Sequence, residues 1–117
     1  MTAFEIESST AGDPQAVVLA LTGELDLTNA GELEEHLERA LTTNGSRLVL
    51  DLRRVAFIDS AVLHVLFRFA RALGKERFGV IIEPNSAIAR VFEIVNISHL
   101  ASIGGSIDEL SAALPPA

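Results

Sequence analysis

Leu48-Val49-Leu50-Asp51-Leu52, continued by Val55-Ala56-Phe57-Ile58-Asp59-Ser60 and then by Ala61 to Leu73, is the stretch from which the fold is read. Residues 48 to 52 are apolar on both parities apart from Asp51. A strand wet on one face would alternate, so this one is predicted to be central and covered by helices on at least one face. Val55 to Ile58 leads into Asp59-Ser60, and apolar positions 62, 63, 66, 67, 70 and 73 then recur with helical period up to Gly74, which closes the helix. A strand followed by a helix is the crossover unit of a parallel sheet.

Upstream, Phe4, Ile6 and Ser8 alternate with Glu5 and Glu7, the period-two pattern of an outer strand. Ala11-Gly12-Asp13-Pro14-Gln15 has turn chemistry, and Ala16 to Leu21 is a short apolar run rich in strand formers, so the two runs are expected to pair as a hairpin. After Thr22-Gly23-Glu24-Leu25-Asp26, the polar pair Thr28-Asn29 stands ahead of Glu32 as an expected N-cap with a capping-box partner. Ala30, Leu33, Leu37, Ala40 and Leu41 then share one helical face, with Glu32, Glu34, Glu35, Glu38 and Arg39 opposite, up to the Asn44-Gly45 stop.

Downstream, Phe78-Gly79-Val80-Ile81-Ile82 reads as a second buried strand. Ser86 is expected to cap a third helix with Ile88, Val91, Phe92 and Val95 inward, and Asn96 to take the left-handed stop. Ser98 to Ile103 is expected to form a last short strand. Ser106-Ile107-Asp108-Glu109 has capping-box spacing for a terminal helix ended by Pro115-Pro116. Two opening strands followed by alternating helices and strands give an α/β fold on a mixed, mostly parallel β-sheet of four to five strands with about four helices.

At 117 residues the chain has the size of one domain, and 1–117 is taken as a single unit. No apolar run approaches the eighteen or so residues that cross a bilayer, and Met1 to Glu7 lacks the basic and apolar regions of a secretory signal. The absence of cysteine excludes disulfides and thiolate metal sites and agrees with a reducing compartment; the cytoplasm is the expectation. The net charge of −7 lies in the first half, where residues 1 to 60 hold eleven acids against four bases. Such a surface repels phosphate backbones and anionic lipid, so a protein partner is expected rather than nucleic acid or membrane.

Three blocks together carry a family resemblance: Leu21-Thr22-Gly23-Glu24-Leu25-Asp26 before the first helix, Asp51-Leu52 with Phe57-Ile58-Asp59-Ser60 before the second, and Ser86 through Phe92 opening the third. In motif and spacing the chain resembles STAS-domain anti-sigma-factor antagonists from about Phe4 to Leu114. The resemblance implies that Ser60 is phosphorylated by a partner anti-sigma factor that is also a serine kinase. Only the unphosphorylated antagonist would bind that partner and release the sigma factor, and a phosphatase would restore the hydroxyl. The chain would then be a substrate and binding partner, not an enzyme, and would need no cofactor.

Ser60 is read as the N-cap of the second helix, where the macrodipole favours a negative group, and Asp59 as the residue that presents it. By the same resemblance Asp59, Ala61, Val62 and His64 form the partner surface, joined by Glu24 and Asp26 from the loop before the first helix. Val62 and His64 stand where many relatives have glycine, so their side chains are expected to narrow, re-aim or abolish kinase docking. His64, Arg68, Arg71 and Lys75 fall along one exposed side of the second helix, read as a solvated face. Two other readings are weighed. A hydrolase built from Ser60, a histidine and Asp59 lacks a Gly-x-Ser-x-Gly elbow, and the three histidines have no metal-ligand spacing. A STAS module that scaffolds or senses a ligand without phosphorylation is the alternative function.

Overall fold

Strand and helix fall where apolar periodicity places them. The structure, a computed structural model, describes residues 4–11, 16–44, 47–99, 101–106 and 109–110. These form one five-stranded sheet in the spatial order β1 (Phe4–Ala11), β2 (Ala16–Leu25), β3 (Leu48–Ile58), β4 (Phe78–Ile81) and β5 (Ser102–Gly104). The β1–β2 pair is antiparallel and every other pair is parallel, because a helix or helical turn separates each later strand from the one before it. The crossovers are α1 (Ala30–Asn44), α2 (Ser60–Leu73) and α3 (Ala87–Val95), the last followed by a 3₁₀ turn at Ile97–His99. The α/β class, the mixed sheet and the central place of β3 are as expected.

β3 is longer than its apolar run, and two register shifts explain why. Ala20 pairs with Asp51 and Thr22 with Arg54, then Gly23 pairs with Val55 and Glu24 with Phe57, so β3 gains one residue on β2 at each step. Each extra residue changes the inward spacing from two to three, which carries the buried series from Leu50 and Leu52 to Val55 and Ile58. Gly23 lies at φ 110°, a backbone state that a side chain would strain, beside the second shift. The bulges leave Phe57 half exposed at the end of the strand.

The helix-side core joins Leu19, Leu21 and Leu25 of β2, Leu50 and Leu52 of β3, Leu33 and Leu37 of α1, Leu66 of α2 and Phe92 of α3. Each such Leu or Phe, wholly buried, contributes about 1.5 to 3 kcal/mol relative to exposure. The buried stripe of α2 is Val62, Val65, Leu66, Phe69 and Ala70, with Leu63, Phe67 and Leu73 at its edge. A smaller cluster of Ala16, Val18, Val49, Ile81 and Leu110 covers part of the opposite sheet face, which is why β3 is apolar on both parities.

Caps follow the sequence at α3, where Ser86 Oγ accepts the Ala89 N–H at 3.1 Å and Asn96 takes the left-handed stop at φ 60°. Gly74 ends α2 as expected. Two expectations are corrected. Residues 98 to 103 are not one strand: the stop at Asn96 folds the chain into the 3₁₀ turn, with His99 N–H donating to Asn96 O and Ala101 N–H to Ile97 O, so β5 starts only at Ser102. Asn29 does not cap α1 with its side chain, which turns back to the preceding loop as described below. At the C-terminal end Ser106 Oγ accepts from Glu109 N–H, while the Glu109 carboxylate accepts from Gly105 N–H. The turn at Gly12 to Gln15, Gly45 and the stretch to Pro115-Pro116 lie outside the described residues.

Candidate functional site

Where parallel strands end, their loops leave the sheet side by side, and β2 and β3 place two loops together in this way. Leu25 pairs with Ile58, and Asp59 N–H donates to Leu25 O at 3.1 Å just beyond the ladder. Asp59 is therefore the residue at which strand pairing ends and α2 begins. Its backbone is extended (φ −101°, ψ 179°), and its Oδ1 accepts the Val62 N–H at 3.1 Å, one of the donors a helix start leaves unpaired. Its Oδ2 accepts the Leu27 N–H at 2.8 Å from the β2–α1 loop.

That loop is braced internally as well. Asn29 is 4% exposed; its Nδ2 donates to Glu24 O at 2.8 Å and its Oδ1 accepts from Asp26 N–H at 2.9 Å. Asp26 Oδ1 accepts the Thr28 N–H at 2.9 Å and the Thr28 hydroxyl. The braced loop leaves Leu27 75% exposed. Sequence reasoning missed both Asn29 as a lock and Leu27 as an outward apolar residue. The available signal for Leu27 was its isolation between Asp26 and Thr28, in a turn with no apolar stripe for it to join.

Ser60 is exposed at the first position of α2. It is one residue past the N-cap, which Asp59 occupies, so the N-cap expectation shifts by one. Ala61 is partly buried and His64 is exposed one turn along from Ser60, whereas Glu24 is exposed and Asp26 and Asp59 are half-buried. Val62 is corrected: at 0% exposure it belongs to the helix-side core, because the third helical position faces the sheet once Asp59 sets the entry of α2. Its side chain packs against the sheet rather than facing solvent. Arg68 pairs with Glu34, so the basic face of α2 is bound in part to the acidic face of α1.

On the sheet face away from the helices lies an open groove of about 450 Å³, lined by Glu7, Ala20, Thr22, Asp51, Arg53 and Arg54 among others. The Arg53 guanidinium grips the Asp51 carboxylate through two bonds of 3.0 and 2.8 Å. Arg53 holds the Asp51 carboxyl below the usual carboxylate range, and Asp51 in turn raises the guanidinium. Among the described residues no helix is long and apolar enough to cross a membrane, and no group of three or more His, Asp or Glu is placed to hold a metal ion.

Known proteins share this fold. The STAS domain family profile matches residues 7–110. The anti-sigma-F factor antagonist RsfB of Mycobacterium tuberculosis is 35% identical over 83 residues, covering 69% of this chain and 68% of RsfB. An anti-sigma factor antagonist from Mycobacterium paratuberculosis has the same fold, with a TM-score of 0.77 at 24% identity over 94% of each chain. The anti-sigma factor antagonist SpoIIAA in its unphosphorylated form superposes with a TM-score of 0.64 at 20% identity over 95% of this chain and 96% of its own. With the profile spanning most of the sequence and RsfB similar over two thirds of both chains, this chain belongs to the STAS-domain family, among its anti-sigma-factor antagonists.

Proposed function

We propose that this protein binds an anti-sigma factor of the serine-kinase type, thereby releasing a sigma factor, and that phosphate on Ser60 switches the binding off. The observation that carries the reading is the exposed Ser60 at the first position of α2, beside an Asp59 carboxylate that ties in the neighbouring loop. The similarity to RsfB supports the partner class. The Bacillus protein SpoIIAA, which has this fold, exists in phosphorylated and unphosphorylated forms, and that supports the switch.

Ser60 lies where helical N–H groups lack intrahelical acceptors and the macrodipole is positive, so a phosphate is tolerated by the fold. It adds about −1.5 to −2 charge beside Asp59. In a kinase partner the group opposite Ser60 is the nucleotide's terminal phosphate, and phosphoserine then faces the diphosphate left behind. Like-charge repulsion and the desolvation of a dianion at the centre of the contact weaken binding without refolding either protein. Asp59 has both oxygens engaged by backbone N–H groups, which suits presentation of the serine better than base catalysis.

The ligand-sensing alternative would use the groove over the outer sheet face. There the Arg53 guanidinium is already spent on Asp51, so the groove supports that alternative less than the Ser60 surface supports the switch. Mass spectrometry after incubation with the cognate anti-sigma factor and ATP should show one added phosphate, lost in Ser60→Ala. Ser60→Asp should bind the anti-sigma factor at least about tenfold more weakly than wild type, and Ser60→Ala should match wild type. Equal affinity of the two variants would sink the switch.

A further inference from the structure

Resting on the reading just given, we propose that Leu27 is the apolar anchor of the Ser60 surface, and that its occupant is an apolar pocket of the anti-sigma factor bordered by Lys and Arg. The exposure of Leu27 is built in. Its backbone N–H is held by Asp59, the loop on either side is locked by Asn29 and Asp26, and none of these bonds serves to bury the side chain. A loop free to relax would fold a leucine against the nearby core; this one is pinned with its leucine 75% exposed. A side chain on a loop already held in place loses little freedom on docking, so a pocket that covers it gains the burial of a leucine at a low ordering cost.

Charge names the occupant. From Glu24 to Glu38 the chain has six acidic residues, of which Glu34 is paired with Arg68, and no Lys or Arg, and Asp59 adds another carboxylate against the same loop. Phe57, 48% exposed, is the penultimate residue of β3, two residues before Asp59, and pairs with Glu24 in the ladder, so a second apolar side chain stands at the same end of the sheet. An apolar centre inside an acidic border is complementary to an apolar pocket inside a basic one. A nucleic acid or an anionic membrane is repelled by that border, and a second copy of this chain would bring the same charge against itself. Ile94 on α3 is as exposed, at 77%, but Arg90 and Glu93 flank it with opposite signs and nothing ties it to Asp59.

Calorimetric titration of the full chain into the purified cognate anti-sigma factor tests the anchor. Leu27→Ala should weaken binding about tenfold or more, whereas Leu27→Met and the control Ile94→Ala should stay within about threefold of wild type. The melting temperature of Leu27→Ala should match wild type, since the side chain buries little. Association should slow as NaCl rises from about 50 to about 300 mM. If wild type fails to bind, the functional reading and the anchor both fall. If wild type binds and Leu27→Ala binds equally well, only the anchor falls. Salt-insensitive association overturns the basic border, and self-association that Leu27→Ala abolishes would put a second copy in place of the partner.

Discussion

The carboxylate of Asp59 accepts the backbone N–H of Leu27 at 2.8 Å, joining two loops whose residues are 32 positions apart. Its other oxygen takes the Val62 N–H at 3.1 Å. One side chain thus sets both the entry of the helix that carries Ser60 and the position of the loop beside it.

Removing that clamp should cost stability in steps. Asp59→Ala leaves two backbone N–H groups without their acceptor and is expected to lose about 1 to 3 kcal/mol. Asp59→Asn keeps one acceptor oxygen and should lose about half as much. Urea denaturation measures both, and an Asp59→Ala variant as stable as wild type would show that the clamp contributes nothing.

Asn29 is a second lock, internal to the loop. Asn29→Ala strands the Asp26 N–H and the Glu24 carbonyl, and is expected to cost about 2 kcal/mol. Asn29→Asp should be no better, because it keeps the acceptor for Asp26 but sets a buried carboxylate against the Glu24 carbonyl. Amide exchange of Asp26 should quicken in Asn29→Ala, which removes its acceptor; unchanged protection in that variant would argue against the lock.

Val62 separates packing from docking. Val62→Ala should cost about 1 to 3 kcal/mol through the cavity it leaves, and Val62→Gly about 1 kcal/mol more through helix propensity. The affinity of the folded variants for an anti-sigma factor should stay at the wild-type value. A change in affinity at constant stability would place Val62 on the partner surface after all.

The Asp51–Arg53 pair gives the stability a defined acid limb. A carboxyl whose folded pKa is depressed stabilises the protein above its unfolded pKa, and that contribution fades as pH falls through about 4 and on through the folded value. Because the Arg53 side chain is 41% exposed, screening by water and salt limits the contribution to about 0.5 kcal/mol at neutral pH. Urea midpoints of wild type and Asp51→Asn should differ at pH 7 and draw together as the pH falls below the unfolded carboxylate value and on through the depressed folded one. A gap that persists in acid would assign the difference to something other than this charge.

Periodicity and punctuation alone were enough for the class and for a mixed, mostly parallel sheet with β3 central, since parallel pairing follows once helices separate apolar runs. Gly74, Ser86 and Asn96 act where they are read, because a cap depends on neighbours within one turn. The break at Asn96 was legible too, yet the 3₁₀ turn after it was not, as nothing in Ser98 to Ile103 distinguishes a tight turn from the start of a strand. The two bulges of β3 were hidden for a related reason: an extra residue shows only against the partner strand, and Arg53-Arg54 reads equally well as a loop.

At the site the division is the same. Sequence by itself determined that an aspartate and a serine stand between a buried strand and a helix, with acidic residues gathered upstream, because those facts are local. Tertiary structure decided that Asp59 rather than Ser60 is the cap, that Asn29 turns inward to lock a loop, that Val62 is core and that Leu27 is held out in solvent. Each of these depends on which N–H lies within about 3 Å of a given oxygen once the ends of β2 and β3 meet, a distance that chain spacing does not contain.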